Sequence, residues 1–157
     1  RFLMRCWLIS ALLLQLSFHC CGFSYTNQTK ALSDLYYATN GEEWVHKQNW
    51  LEGNPCSNLW YGVECDDFQI ISINLVHNHL NGSIPTSLAF LSFLKTLDLE
   101  GNILSGQIPD SLASLPSISV LNVAFNLLEG TIPPFGSEHT GLSSLILNNN
   151  FISGTIP

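Results

Sequence analysis

Positive charge is scarce in this chain. Only five of its 157 residues are Lys or Arg, against twelve Asp or Glu, and charged residues of either sign make up 11%. Nucleic acids and anionic membranes are held through basic patches, so neither is expected as a partner. No apolar run approaches the ~20 residues that cross a bilayer; the best candidate, Trp7 to Phe18, has 12. Also missing are a phosphate-binding glycine loop, a nucleophile elbow, a zinc-type histidine pair at helical spacing and any C-x-x-C pair. The sequence therefore nominates no catalytic residue, no cofactor and no metal ligands. His77 and His79 lie two apart, and so do Asp98 and Glu100. Pairs of that kind without a pocket are read as solvated surface.

The apolar run has its own explanation. Arg1 and Arg5 flank it, and small residues Gly22 and Ser24 follow, the layout of a secretory signal peptide over residues 1–24 with Met4 as the natural start. No membrane insertion is expected in the fragment once the leader is gone. Cys6, Cys20 and Cys21 leave with it, so Cys56 and Cys65 remain, an even pair. Lys30, Lys47 and Lys95 then stand against all twelve acids, a net charge of −9. Asn27 and Asn81 each open an N-x-S/T sequon and are glycosylation candidates in a secreted chain.

What the chain does have is a repeat. Asn78, Asn102, Asn126 and Asn150 are 24 residues apart, and each opens the same phrase: NHLNGSIP, NILSGQIP, NLLEGTIP, NFISGTIP. The full unit reads L-x-x-L-x-L-x-x-N-x-L-x-G-x-I-P, carried in the second copy by Leu94, Leu97, Leu99, Asn102, Leu104, Gly106, Ile108 and Pro109. Periods of this length belong to solenoids, whose coils bury their apolar faces only by stacking. The central L-x-L alternates as a half-buried strand does. One parallel sheet is thus expected over residues 72–76, 96–100, 120–124 and 144–148. An asparagine amide both donates and accepts, so a column of them can satisfy the backbone groups a turning chain leaves unpaired.

On these residues the segment 70–157, four copies with the last truncated, resembles the plant-type leucine-rich repeat. The resemblance implies an α/β repeat fold: a right-handed solenoid with a parallel concave sheet and a helical amino-terminal cap. One copy departs from the pattern. The convex pair Leu88 and Leu91, matched by Leu112 and Leu115, becomes Gly136 and His139, with Phe135 placed to fill the gap.

Residues 25–69 have the content of that cap. Leu32, Leu35 and Tyr36 share one face of a short helix, with Thr26 or Thr29 as its N-cap and Gly41 as a left-handed stop. Trp44, Trp50, Leu51 and Trp60 supply apolar area. The residues from Ala31 to Cys65 resemble the amino-terminal cap of the same repeat family, and the resemblance implies a disulfide between Cys56 and Cys65. Two buried thiols, or a metal site with His46, are the alternatives.

The function expected is an extracellular, non-catalytic binding module, secreted or on the outer face of the plasma membrane, that takes a protein, peptide or glycan on its concave face. The ectodomain of a receptor-like kinase or receptor-like protein is a second reading, and a secreted inhibitor of a cell-wall-degrading enzyme a third. The variable strand positions nominate Asn74, Asp98, Glu100, Asn122, Phe125 and Ile146 as ligand contacts. Phe125 either stands out as an apolar anchor or folds its ring in beside the asparagines.

Overall fold

The computed structural model describes residues 27–135 and 141–156. The proposed leader, Thr26, Gly136 and His139 lie outside them. Residues 27–38 form helix α1, and the expected face is buried: Ala31, Leu32 and Leu35 are fully covered and Tyr36 nearly so. Thr29 is inside the helix rather than at its cap. The left-handed stop falls one residue earlier than the sequence suggests. Asn40 has φ 55° and ψ 53°, and Gly41 begins a 3-10 turn, Gly41–Glu43. Glycine is needed at 41 for space, since a Cβ there would sit 2.2 Å from the Tyr36 ring.

The cap core is a chain of aromatic rings. Tyr36, Trp44, Trp50 and Trp60 follow one another with centroids 5.2, 4.7 and 5.1 Å apart. Each indole N–H donates to a backbone carbonyl, on Thr39, Tyr61 and Glu52 respectively, so large rings are buried with no polar atom stranded. Leu51 instead turns outward, with φ 66°. Cys56 and Cys65 are bonded to each other, their Cα atoms 5.7 Å apart, and they pack on the edge of this core.

Among the described residues eight short strands follow: β1 (Val63–Asp66), β2 (Gln69–Asn74), β3 (Asn81–Gly82), β4 (Thr96–Asp98), β5 (Ile103–Gln107), β6 (Val120–Asn122), β7 (Leu127–Glu129) and β8 (Ser144–Ile146). β2, β4, β6 and β8 make the expected parallel sheet, with Ile73, Leu97, Leu121 and Leu145 in register. Regular pairing ends at Asn74, Asp98, Asn122 and Ile146, two residues short of the expected limits. Single bonds such as Leu75 N–H to Asp98 O continue beyond.

Two features of the pairing are additional. β1 joins β2 antiparallel, so the cap closes one edge of the main sheet with a strand of its own. β3, β5 and β7 form a second parallel sheet along the flank, where the chain leaves each asparagine. Gly82 in β3 has φ 141°, and a Cβ there would lie 2.0 Å from the Ala38 carbonyl oxygen. The end of α1 therefore rests on bare backbone.

Inside, the framework leucines and isoleucines of the first three coils, Ile132 apart, fuse with the cap into one cluster, against which the half-buried Phe135 and Leu142, Leu145, Leu147 and Ile152 of the fourth coil pack. The asparagines work as a ladder. Asn102 Oδ1 accepts from Asn78 N–H and Leu80 N–H at 2.9 and 3.0 Å. Its Nδ2 donates to the carbonyls of Leu75, Leu99 and Glu100. Asn126 and Asn150 repeat the scheme one and two coils on. Asn78 applies it to the cap, accepting from His46 N–H and donating to His46 O.

Candidate functional site

The nominated contacts occupy the outer face of the main sheet, and the structure separates them into two kinds. Asn74, Asp98 and Asn122 end their strands in the same way: each side-chain oxygen accepts the N–H of the residue two further on, Val76, Glu100 or Ala124, at 3.2–3.4 Å. A short oxygen-bearing side chain at this step closes an Asx turn, which is why the column carries Asn or Asp in three coils. Ile146 cannot do this and stands exposed instead.

Asn122 is only 5% exposed, and its Nδ2 donates to Glu100 Oε2 at 2.7 Å. Its amide is thus engaged in orienting Glu100 and is not free for a partner. Asp98 and Glu100 remain half-buried on adjacent steps. The ion pairs among the described residues are Lys30–Asp34 and Lys47–Glu42, both in the cap. Among the described residues neither sheet carboxylate is ion-paired.

The step just before each ladder asparagine is left-handed in every coil: His77, Gly101, Phe125 and Asn149 have φ of 50°, 68°, 53° and 56°. Gly and Asn adopt this region readily, whereas a bulky ring there is unusual. Phe125 nevertheless holds it and is 51% exposed as a residue. The ring does not fold in beside the asparagines. His77 also takes this conformation, its Nδ1 3.3 Å from Gly101 O. His79 is left-handed and exposed as well. Neither histidine lies in a strand, and among the described residues no three His, Cys, Asp or Glu gather as metal ligands would.

Of the sequon residues, Asn81 is exposed on β3 while its backbone N–H donates to Thr39 O at 3.0 Å. Asn27 is half-buried in the first turn of α1 that the structure describes, and the Thr29 hydroxyl of the same sequon is buried without a hydrogen-bond partner.

One set of residues escaped the sequence reading. The step just after each asparagine holds His79, Ile103, Leu127 and Phe151, all exposed. The signal was available, because a position the fold leaves open is apolar in three copies of four.

Comparison with known proteins fits this architecture. The Leucine Rich Repeat family model matches residues 69–91 and 93–115. In the crystal structure of the BIR3–SERK2 complex from Arabidopsis thaliana, one chain is 34% identical, with a TM-score of 0.65 over 81% of this chain and 71% of that one. The chain belongs to the leucine-rich-repeat family of plant type. The BIR2 ectodomain from the same plant is similar to this leucine-rich-repeat chain at 32% identity and TM-score 0.68, over 82% and 70% of the two chains. A probable leucine-rich repeat receptor-like protein kinase of Arabidopsis thaliana is 39% identical over 61 residues, 38% of this leucine-rich-repeat chain. The chain spans only 6% of that kinase's length. Among the described residues no helix is long and apolar enough to cross a membrane.

Proposed function

We propose that this chain is an extracellular recognition module that binds a protein or peptide through the outer face of its main sheet and carries out no chemistry of its own. The observation that carries the reading is the middle of that face. Asp98 and Glu100, with no counter-ion among the described residues, stand one coil before the exposed Phe125; Asp98 pairs with Asn122, Gly101 beside Glu100 bonds to Ala124 beside Phe125, and Ile146 is on the following strand. An aromatic anchor near carboxylates that lack a counter-ion is the composition of a binding hot spot. A sheet locked by the asparagine ladder loses little freedom when it binds, which favours affinity.

Similarity to a receptor-like kinase and to the BIR2 ectodomain favours a receptor-type ectodomain over a secreted inhibitor. Under this reading residues 1–24 are the leader, 25–69 the cap and 70–157 the repeats. Asn81, exposed, is a better glycan acceptor than Asn27.

The test is binding of the secreted chain to partners captured by crosslinking at the surface of its own cells. Asp98→Asn with Glu100→Gln removes charge while keeping the acceptors used by Glu100 N–H and Asn122 Nδ2. Together with Phe125→Ser, this variant should lower affinity for the captured partner at least tenfold. Unchanged affinity would move the site off this face.

A further inference from the structure

We infer that the flank sheet is a second docking surface, distinct from the face just described, and that it takes a protein segment presenting apolar side chains among lysines or arginines. The apolar half of the argument is the step after each ladder asparagine. Ile103, Leu127 and Phe151 are 45%, 46% and 69% exposed, one per coil. Along β5 and β7 alternate residues point outward, so Ile103 and Leu127 stand on the open side while Leu104 and Leu128 fill the core. Phe151 continues the row, its N–H donating to Leu128 O at 2.7 Å. Framework packing needs no apolar residue here, and the first coil shows as much by placing His79 at the same step.

Repetition sets the three on one diagonal of the open face: Leu127 lies across from Ser105, two residues along from Ile103, a spacing within reach of long side chains. A lone exposed leucine is ordinary, whereas apolar side chains recurring at the same step of successive strands on a rigid sheet mark an interaction surface.

The occupant follows from charge. Glu129 shares the open face of β7 with Leu127, two residues away. From residue 70 onward the only Lys or Arg is Lys95, which lies just before β4, at the end of that strand away from the asparagines. A second copy of the chain would bring Glu129 against its own kind between two bodies that each carry the −9 of the chain without its leader. A segment with the same apolar content and basic residues between meets the stripe and the carboxylate together.

Two synthetic 14-residue peptides test this against the secreted chain, followed by fluorescence anisotropy. They share the same leucines and differ only in carrying lysine or glutamate between them. The lysine peptide should bind and the glutamate peptide should bind at least tenfold more weakly. Ile103→Ser with Leu127→Ser and Phe151→Ser should cut lysine-peptide affinity at least tenfold. Glu129→Lys alone, a surface change, should weaken it several-fold, which keeps the test sharp if the triple variant folds poorly. Asp98→Asn with Glu100→Gln should leave it within threefold, separating this surface from the main-sheet site. Equal binding of both peptides, or full binding by a folded triple variant or by Glu129→Lys, overturns the proposal. So does self-association of the wild-type chain in sedimentation that the triple variant abolishes, because the stripe would then join copies.

Discussion

Replacing Asn102 by Leu tests whether the ladder, rather than the leucine framework alone, holds the coils together. Leucine has the branching of asparagine and only somewhat greater bulk, so packing changes little, but the change strands the N–H groups of Asn78 and Leu80, both donors to Asn102 Oδ1. A buried donor left unpaired costs ~1–3 kcal/mol, so the two together cost ~2–6 kcal/mol. The added apolar burial returns ~1–2 kcal/mol. The net loss should be ~3 kcal/mol, a large share of the ~5–15 kcal/mol that holds a typical domain. With an m-value of ~2 kcal/mol/M, the urea midpoint should fall by ~1.5 M. Tryptophan fluorescence reports the cap through Trp44, Trp50 and Trp60, so circular dichroism should be recorded alongside it for the repeats.

Asn102→Asp adds a finer control. It keeps an acceptor for both N–H groups but turns a charged oxygen toward the carbonyls of Leu75, Leu99 and Glu100. Burial among carbonyls raises that carboxyl's pKa above its unfolded value. The variant should therefore be most stable below the unfolded pKa and lose stability as pH rises through the folded one. A Leu variant within ~1 kcal/mol of wild type, or an Asp variant indifferent to pH, would refute the energetic role given to the ladder.

Further outcomes are expected elsewhere. Gly82→Ala should cost ~3 kcal/mol or more in denaturant unfolding, because its Cβ meets the backbone oxygen of Ala38 and cannot be relieved by a rotamer change. Gly101→Ala should cost ~1–2 kcal/mol from its left-handed backbone and the His77 ring 2.0 Å away. In a His77→Ala background only the backbone part should remain, which a double-mutant cycle in urea would show. Cys56→Ser with Cys65→Ser should cost ~2–3 kcal/mol in thermal unfolding, and wild type melted with reductant should behave in the same way.

The sequence was most legible where one residue type answers one backbone need. The spacing of the asparagines told of the main sheet, of its register and of the ladder, since only an amide can serve N–H and C=O groups at one turn. The buried face of α1 was plain from Leu32, Leu35 and Tyr36. Pairing between distant segments left weaker traces. β1 against β2 depends on the cap folding back onto the first coil, and β5 and β7 each hold a single framework leucine, Leu104 and Leu128, and β3 none, so no framework alternation declares them. The choice of Asn40 over Gly41 for the left-handed step turned on the Tyr36 ring, a neighbour in space and not in the local phrase. Asn122 looked like a surface variable because its column is variable. Its burial arises from the turn it closes and from Glu100 on the preceding coil, which the repeat frame does not show.

The ladder also has a direction. Each asparagine serves its own coil and the one before it: Asn78 holds His46 of the cap, Asn102 holds Asn78 and Leu80, Asn126 holds Leu104, and Asn150 holds Leu128. A ribosome makes the chain in the opposite sense, cap first. The amide that meets each turn is therefore encoded in the following copy, 24 residues after the asparagine of its own, and until it is in place water must serve those N–H groups. In the finished solenoid, then, the turn of each coil is completed by a residue of the coil that follows it in the sequence.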